Sequence, residues 1–160
     1  MTIKVFEEKH FHFIGIGGIG MSAIAIALLE KGFTVSGSDL AHNEQILKIK
    51  RMGAILFESQ EKRNIDFIQN KYPKKELIIV ISSAIKEDNQ ELMQSNQKKL
   101  SVKHRSEILS FIMQTYYSIG VAGSHGKTST STFLATLLDL CTNNTSSIIG
   151  GIQPMYNSNS

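Results

Sequence analysis

Short, wholly apolar runs alternate along the chain with longer stretches whose apolar positions recur every three or four residues. The first pattern fits strands covered on both faces, and the second fits helices with one buried side. Strands are predicted at residues 11–16, 34–37, 54–57 and 77–82, with a short one near Val102, and helices at 19–31, 43–52, 89–98 and 106–114. Asn43, Asn89 and Ser106 stand where a side chain accepts the first unpaired helix amides, and Gly32 and Gly53 stand where helices stop. Strand and helix taking turns in this way predict an α/β fold, a Rossmann-like parallel sheet with helices on both faces. Residues 58–75, polar and carrying Pro73, show no readable period.

A second unit is predicted to begin after Tyr117: a strand at 118–122, a glycine loop at 123–127, a helix at 128–140 and a further strand at 147–152, before a polar tail. Two strands and one helix cannot bury a core unaided. The chain therefore divides into a Rossmann-like domain over 1–117 and, over 118–160, the opening strand-loop-helix of a P-loop-type domain whose remainder is expected to lie further on.

Composition narrows the class. Apolar residues make up 41% of the 160 and charged residues 19%, with two prolines, as in a folded domain and unlike a disordered tail. A net charge of +3 is spread thinly, and its densest cluster, Lys98, Lys99, Lys103 and Arg105, is too small to argue for nucleic acid. Cys141 is the single cysteine, which excludes an internal disulfide framework and suits a reducing compartment. Residues 13–29 carry no charge and approach the length of a membrane span. Four glycines between Gly15 and Gly20 interrupt that run, and Glu7 and Glu8 precede it where an export signal would have lysine or arginine. A buried strand, a glycine turn and a buried helix account for the same letters, and a cytoplasmic location is expected.

Gly15, Gly17 and Gly20 form G-x-G-x-x-G between a predicted strand and a predicted helix. In that context glycine permits a tight turn and lets backbone amides and a helix N-terminus approach a pyrophosphate. Asp39, 19 residues after Gly20, ends the second strand, where a carboxylate can accept hydrogen bonds from ribose hydroxyls. Alone, these features would suit a nicotinamide-dependent dehydrogenase, or glycines that serve only helix-to-strand packing. A branched residue at Gly17 is expected to block the phosphate's path without unfolding the domain.

Gly123-Ser124-His125-Gly126-Lys127-Thr128 has the form of a second phosphate loop, although Val121 stands where the strict P-loop has glycine. Lys127 can reach β- and γ-phosphates and Thr128 can hold Mg²⁺, while loop amides cradle the anion. Out of context, Gly-Lys-Thr is an ordinary helix start with a solvated lysine. A predicted strand before it and an apolar helix after it favour the phosphate reading.

Two phosphate loops of different types about 100 residues apart are unusual, and their letters resemble one family. Gly15-Ile16-Gly17-Gly18-Ile19-Gly20-Met21-Ser22 is similar to the opening of the Mur amino-acid ligases, in particular the UDP-N-acetylmuramate:L-alanine ligases. Val35-Ser36-Gly37-Ser38-Asp39-Leu40, Ser82-Ser83-Ala84-Ile85 with Asn89, His104-Arg105-Ser106-Glu107 and Ala122 to Thr128 follow in the same order. The family's shorter G-T-x-G-K-T loop removes the difficulty at Val121. Ser124 and Ser129 replace its usual threonines and keep a hydroxyl.

The resemblance implies a three-domain ATP-dependent ligase of peptidoglycan synthesis. Its first domain would bind UDP-N-acetylmuramate through Gly15, Gly17, Gly18, Ile19, Gly20, Asp39, Ser82, Ser83, Ala84 and Arg105. ATP would bind at Gly123, Ser124, His125, Gly126, Lys127, Thr128 and Ser129, with Lys127 and Thr128 catalytic and Thr128 on Mg²⁺. The L-alanine site, the adenine pocket and a metal-binding glutamate are expected beyond Ser160, so the chain by itself is expected to bind the UDP-sugar without turnover. A non-catalytic nucleotide-sugar-binding module is the remaining alternative.

Overall fold

The computed structural model describes residues 8–142 and 147–149. Five strands, β1 (Lys9–Ile14), β2 (Thr34–Ser38), β3 (Ile55–Phe57), β4 (Glu76–Ile81) and β5 (Ser101–His104), form one parallel sheet in the order β3-β2-β1-β4-β5. Helices α1 (Ile19–Glu30), α2 (Glu44–Arg51), α3 (Lys62–Lys71) and α4 (Gln90–Gln97) make the four crossovers, and α5 (Arg105–Met113) and α6 (Lys127–Thr142) follow the last strand. The order reverses between β1 and β4, so the switch-point crevice opens beyond the C-terminal ends of those strands.

Alternation along β1 divides the core. Phe11 and Phe13 join α1, Ile49 of α2, and Ile108 and Ile112 of α5 on one face, whereas Ile14 meets Ile65 and Ile68 of α3 and Leu92 of α4 on the other. Helix α1 is buried from Met21 to Leu28, which explains why its sequence reads like a membrane span. No helix among the described residues is long and apolar enough to cross a membrane.

Helix α3 falls in the segment whose period was unreadable. Glu61 makes no side-chain cap, a loss of about 1 kcal/mol. Burial of Ile65 and Ile68, roughly 1.5–3 kcal/mol each, outweighs it. Two expectations need correction. Residues 118–122 form no strand: Ser118 Oγ instead donates to the carbonyls of Met113 (3.0 Å) and Tyr116 (3.3 Å), closing the end of α5, and no strand among the described residues pairs with the segment. Helix α5 is capped by His104, not Ser106, in a reciprocal capping box with Glu107. Of the strand expected at 147–152, residues 147–149 have no regular structure and the rest lie outside the described residues.

The α3/α4 face carries a polar seam, buried apart from Thr34 at its end. His10 Nδ1 lies 2.9 Å from Thr34 Oγ1, and Ser36 Oγ sits 2.7 Å from His10 Nε2 and 2.8 Å from His12 Nδ1. His12 Nε2 is 3.2 Å from Glu91 Oε1, which also accepts from Asn64 Nδ2 at 2.8 Å, and Glu91 Oε2 accepts from Ser38 Oγ at 2.5 Å. One arrangement of protons satisfies every member with both rings neutral. Thr34 donates to His10 Nδ1, His10 Nε2–H to Ser36, Ser36 to His12 Nδ1, and His12 Nε2–H to the Glu91 carboxylate.

Burial, then the neighbouring His12 and Lys75, push the His10 imidazole down to about 3. An unfolded chain would take up that proton near pH 6.5, so the unfolded state binds more protons between those limits. The contribution to stability is complete above about pH 6.5 and is lost as pH falls toward 3. The expected loss is about 2 kcal/mol by pH 5. Urea unfolding between pH 7 and 5 measures it, and His10→Gln should flatten the slope by that amount.

Candidate functional site

Three loops, after β1, β2 and β4, and the start of α5, directly after β5, lie beyond the C-terminal ends of these strands. The chain leaves β1 through Gly15, whose φ of +80° favours glycine, and Ser38 O accepts both Gly15 N (2.8 Å) and Ile16 N (3.1 Å). Gly17 is then fixed at both polar atoms: its amide donates to Asp39 Oδ2 (2.7 Å) and its carbonyl accepts from Asn43 Nδ2 (3.0 Å). Asn43 Oδ1 meanwhile accepts from Ile46 N at 3.0 Å, capping α2. Asn43 thus does more than the helix start its position suggested.

Gly18 is the N-cap of α1 in extended conformation, with no side-chain cap and no acidic residue in the first turn. Gly18 and Ile19 are exposed. That helix end carries a partial positive charge that faces the crevice, and its N-cap glycine has no side chain to cover it. Across from it stands Arg105, whose guanidinium lies where a Cβ on Gly20 would be. Arg105 is the first residue of α5, where the helix dipole disfavours a cation. A placement that is locally unfavourable, beside a second helix N-terminus, marks a site arranged for an anion.

The β4 loop closes the crevice. Ile85 Cδ1 reaches to 3.4 Å of the Cβ position of Gly15, and Ser82 O accepts from Ile85 N in the turn that exposes Ser83 and Ala84. His104 ties this loop to α5, with Nε2 3.4 Å from Ser83 Oγ and Nδ1 2.7 Å from Ser106 Oγ. Its own backbone N–H, together with Lys103, holds the Glu107 carboxyl below the ordinary carboxylate range. All ten residues expected to hold the UDP-sugar, from Gly15 to Arg105, lie on these loops and in the first turns of α1 and α5. His104 and Asn43 were missed as site residues, although each stood inside a quoted motif or cap.

Asp39 differs in detail from the expectation. Both of its oxygens already accept backbone amides, Gly17 N and Ala41 N (2.9 Å), so its first task is to hold the glycine loop to β2. Lone pairs remain for a ribose hydroxyl. Gly17 differs more. A Cβ there would come within 2.8 Å of Ile46 Cδ1 and 2.9 Å of Asp39 Oδ2, so a valine would collide with the protein itself and break the anchor. Gly18 is the cleaner probe, since its Cβ would meet nothing nearer than 3.6 Å. Gly18→Ala is expected to leave the melting temperature within a degree or two, because an N-cap change of this kind is worth only about 0.5 kcal/mol. It should weaken nucleotide binding several-fold by calorimetry.

The second loop is exposed throughout. Gly126 has φ +75°, α6 begins at Lys127, and Thr130 N donates to Gly126 O at 3.0 Å. Lys127 Nζ is folded back onto the carbonyls of Gly123 and Ser124, the second at 3.1 Å. The Thr128 and Ser129 hydroxyls and the His125 ring face solvent. Among the described residues, no group of three or more His, Cys, Asp or Glu is placed to hold a metal ion. A single threonine hydroxyl on a metal that otherwise keeps phosphate oxygens and water suits Mg²⁺.

Residues 10–117 match the family model described as "Mur ligase family, catalytic domain". A UDP-N-acetylmuramate--L-alanine ligase of Prochlorococcus marinus subsp. pastoris is 60% identical over 159 residues, covering 99% of this chain and 34% of that protein. One from a Synechococcus strain is 42% identical over 159 residues, with 99% and 33% covered. The chain spans about a third of the length of the curated relatives it matches. Among solved structures, the UDP-N-acetylmuramate:L-alanyl-gamma-D-glutamyl-meso-diaminopimelate ligase of Neisseria meningitides superimposes with a TM-score of 0.83 at 27% identity, over 95% of this chain and 46% of that one. The UDP-N-acetylmuramate-alanine ligase of Thermotoga maritima shares the fold with a TM-score of 0.78 at 24% identity, over 94% and 34%.

Proposed function

This chain belongs to the Mur ligase family, and from that premise we propose that it is the UDP-sugar-binding part, with the ATP phosphate loop, of an ATP-dependent ligase joining L-alanine to UDP-N-acetylmuramate in the cytoplasm. The observation that carries the reading is the α1 N-terminus, without a side-chain cap, beside the Arg105 guanidinium at the switch-point crevice. The reaction assigned is that of the relatives 42–60% identical, in preference to that of the solved tripeptide ligase at 27%. Residues 1–117 form the sugar-nucleotide domain and 118–160 begin the ATP unit.

The pyrophosphate of UDP-N-acetylmuramate lies on the first-turn amides of α1, with Arg105 neutralising its charge and Asp39 near the ribose. Ser82, Ser83 and Ala84 line the other wall. When bound, Mg·ATP would supply the phosphoryl group: a lactyl carboxylate oxygen takes the γ-phosphoryl as ADP leaves, and the alanine amine then attacks the acyl carbon, losing a proton as phosphate is expelled and the amide forms. Activation is needed because a carboxylate is a poor electrophile. Lys127 would leave the Gly123 and Ser124 carbonyls for the phosphates, Thr128 would hold Mg²⁺, and the amides of 123–129 would surround the anion, so this chain's part in catalysis is positioning and charge neutralisation.

Calorimetry of the 160-residue chain should detect UDP and UDP-N-acetylmuramate and not NADH. Binding of NADH alone would favour a dehydrogenase. Alanine-dependent phosphate release is expected to be absent from this chain on its own, since Phe133, Leu137 and Leu140 leave one side of α6 exposed and its loop unsupported.

A further inference from the structure

The buried seam on the α3/α4 face ends directly beneath the first glycine loop, at a residue that serves both. Ser38 gives its hydroxyl proton to Glu91 and its carbonyl to the amides of Gly15 and Ile16, and the next residue, Asp39, holds the amide of Gly17. Glu91 is fully buried, as are His12 and Ser38, and its other donors, His12 and Asn64, come from β1 and α3. Its backbone is fixed in turn, because Asn89 Oδ1 accepts from Glu91 N at 3.0 Å. The carboxylate, carried by α4, is thus held from β1 and α3 and in turn holds the end of β2.

A buried charge of this kind is a poor source of net stability, since desolvation offsets most of what its hydrogen bonds return. An apolar contact between α4 and β2 would serve packing as well. What the carboxylate supplies instead is direction: a hydroxyl aimed at Oε2 sets the rotation of the Ser38 peptide, and that peptide sets where Gly15, Ile16 and Gly17 place their backbone. We infer that Glu91 is a positioning residue, which through Ser38 keeps the glycine loop in the geometry that binds the pyrophosphate. The inference rests on the sugar-nucleotide reading of that loop. Glu91 touches no ligand itself.

Ser38→Ala cuts the link while leaving the backbone carbonyl in place, and Glu91→Gln removes the charge while keeping the shape. Ile68→Val serves as a control that loosens the same face of the core without touching Ser38. All three are compared in the 160-residue chain, well below their melting temperatures, by UDP titration and by the ¹⁵N–¹H resonances of Gly15, Ile16 and Gly17 without ligand. Ser38→Ala and Glu91→Gln are expected to shift those resonances and to weaken UDP binding by about tenfold, the size of one lost hydrogen bond to a charged group. The double variant should be little worse than either single one, and Ile68→Val should lose stability with both readouts unchanged. Unmoved loop resonances in the folded Ser38→Ala and Glu91→Gln chains would overturn the inference, as would equal shifts in the control. If the wild-type chain bound no UDP, the proposed function would fail, and the resonances would still decide whether Glu91 sets the loop.

Discussion

Gly37→Val is expected to destabilise the first domain by about 3 kcal/mol or more, enough to unfold much of a marginally stable chain. A Cβ at Gly37 would come within 2.6 Å of Ile16 Cδ1, 2.7 Å of Ile16 Cβ and 2.8 Å of Phe13 O. Neither neighbour can withdraw. Phe13 O belongs to the backbone of the central strand, which pairs with β2 on one side and β4 on the other. Ile16 is buried where the chain turns from β1 into the glycine loop, so its displacement would move Gly15 and Gly17 as well. Stability and nucleotide binding should therefore fall together, which separates this variant from Gly18→Ala. Chemical unfolding followed by circular dichroism is the measurement, and a valine variant within 1 kcal/mol of wild type, on the order of an ordinary surface change, would mean that β1 and β2 are not so closely apposed.

Lys127→Ala is expected to lower turnover about a hundredfold in a ligase of the relatives' full length that carries this segment. A preorganised cation on the transferring phosphoryl group is worth on the order of 3 kcal/mol in the transition state. In the 160-residue chain the same substitution should change little. Lys127 there spends its donors on the Gly123 and Ser124 carbonyls, and the loop is exposed with no strand behind it. Mg·ATP should accordingly bind weakly before the substitution and weakly after it. Tight binding abolished by Lys127→Ala would show the loop to be self-sufficient.

The order of the other strands and helices was legible because most elements of the first domain carry a regular apolar period and many of their ends carry a cap or a glycine, as at Asn43, Gly32 and Gly53. Helix α3 was not, since only Ile65 and Ile68 reach the core and no capping side chain precedes them. The missing strand at 118–122 shows the reverse case: an apolar run is a strand only where an edge exists to pair with it. The glycine loop could be located from its letters, but the reason for each glycine could not. Gly17 faces Ile46 and Asp39, Gly20 faces Arg105, and only Gly15 is required by its own backbone angle. The polar seam was invisible for a related reason. His10, His12, Ser36 and Ser38 alternate with Phe11, Phe13, Val35 and Gly37 as on a solvated face, and only α4, bringing Glu91 over them, shows that this face is buried.

The central claim is that the crevice between the α1 N-terminus and Arg105 holds the pyrophosphate of a uridine nucleotide. Titration of UDP into the wild-type chain and into Arg105→Ala tests it most directly. Arg105 is exposed, with its guanidinium over Gly20, so the variant should melt with the wild type while its affinity for UDP falls by about tenfold, as for loss of one charged hydrogen-bonding partner. Equal affinity in the two chains, or no UDP binding by the wild type, would contradict the account.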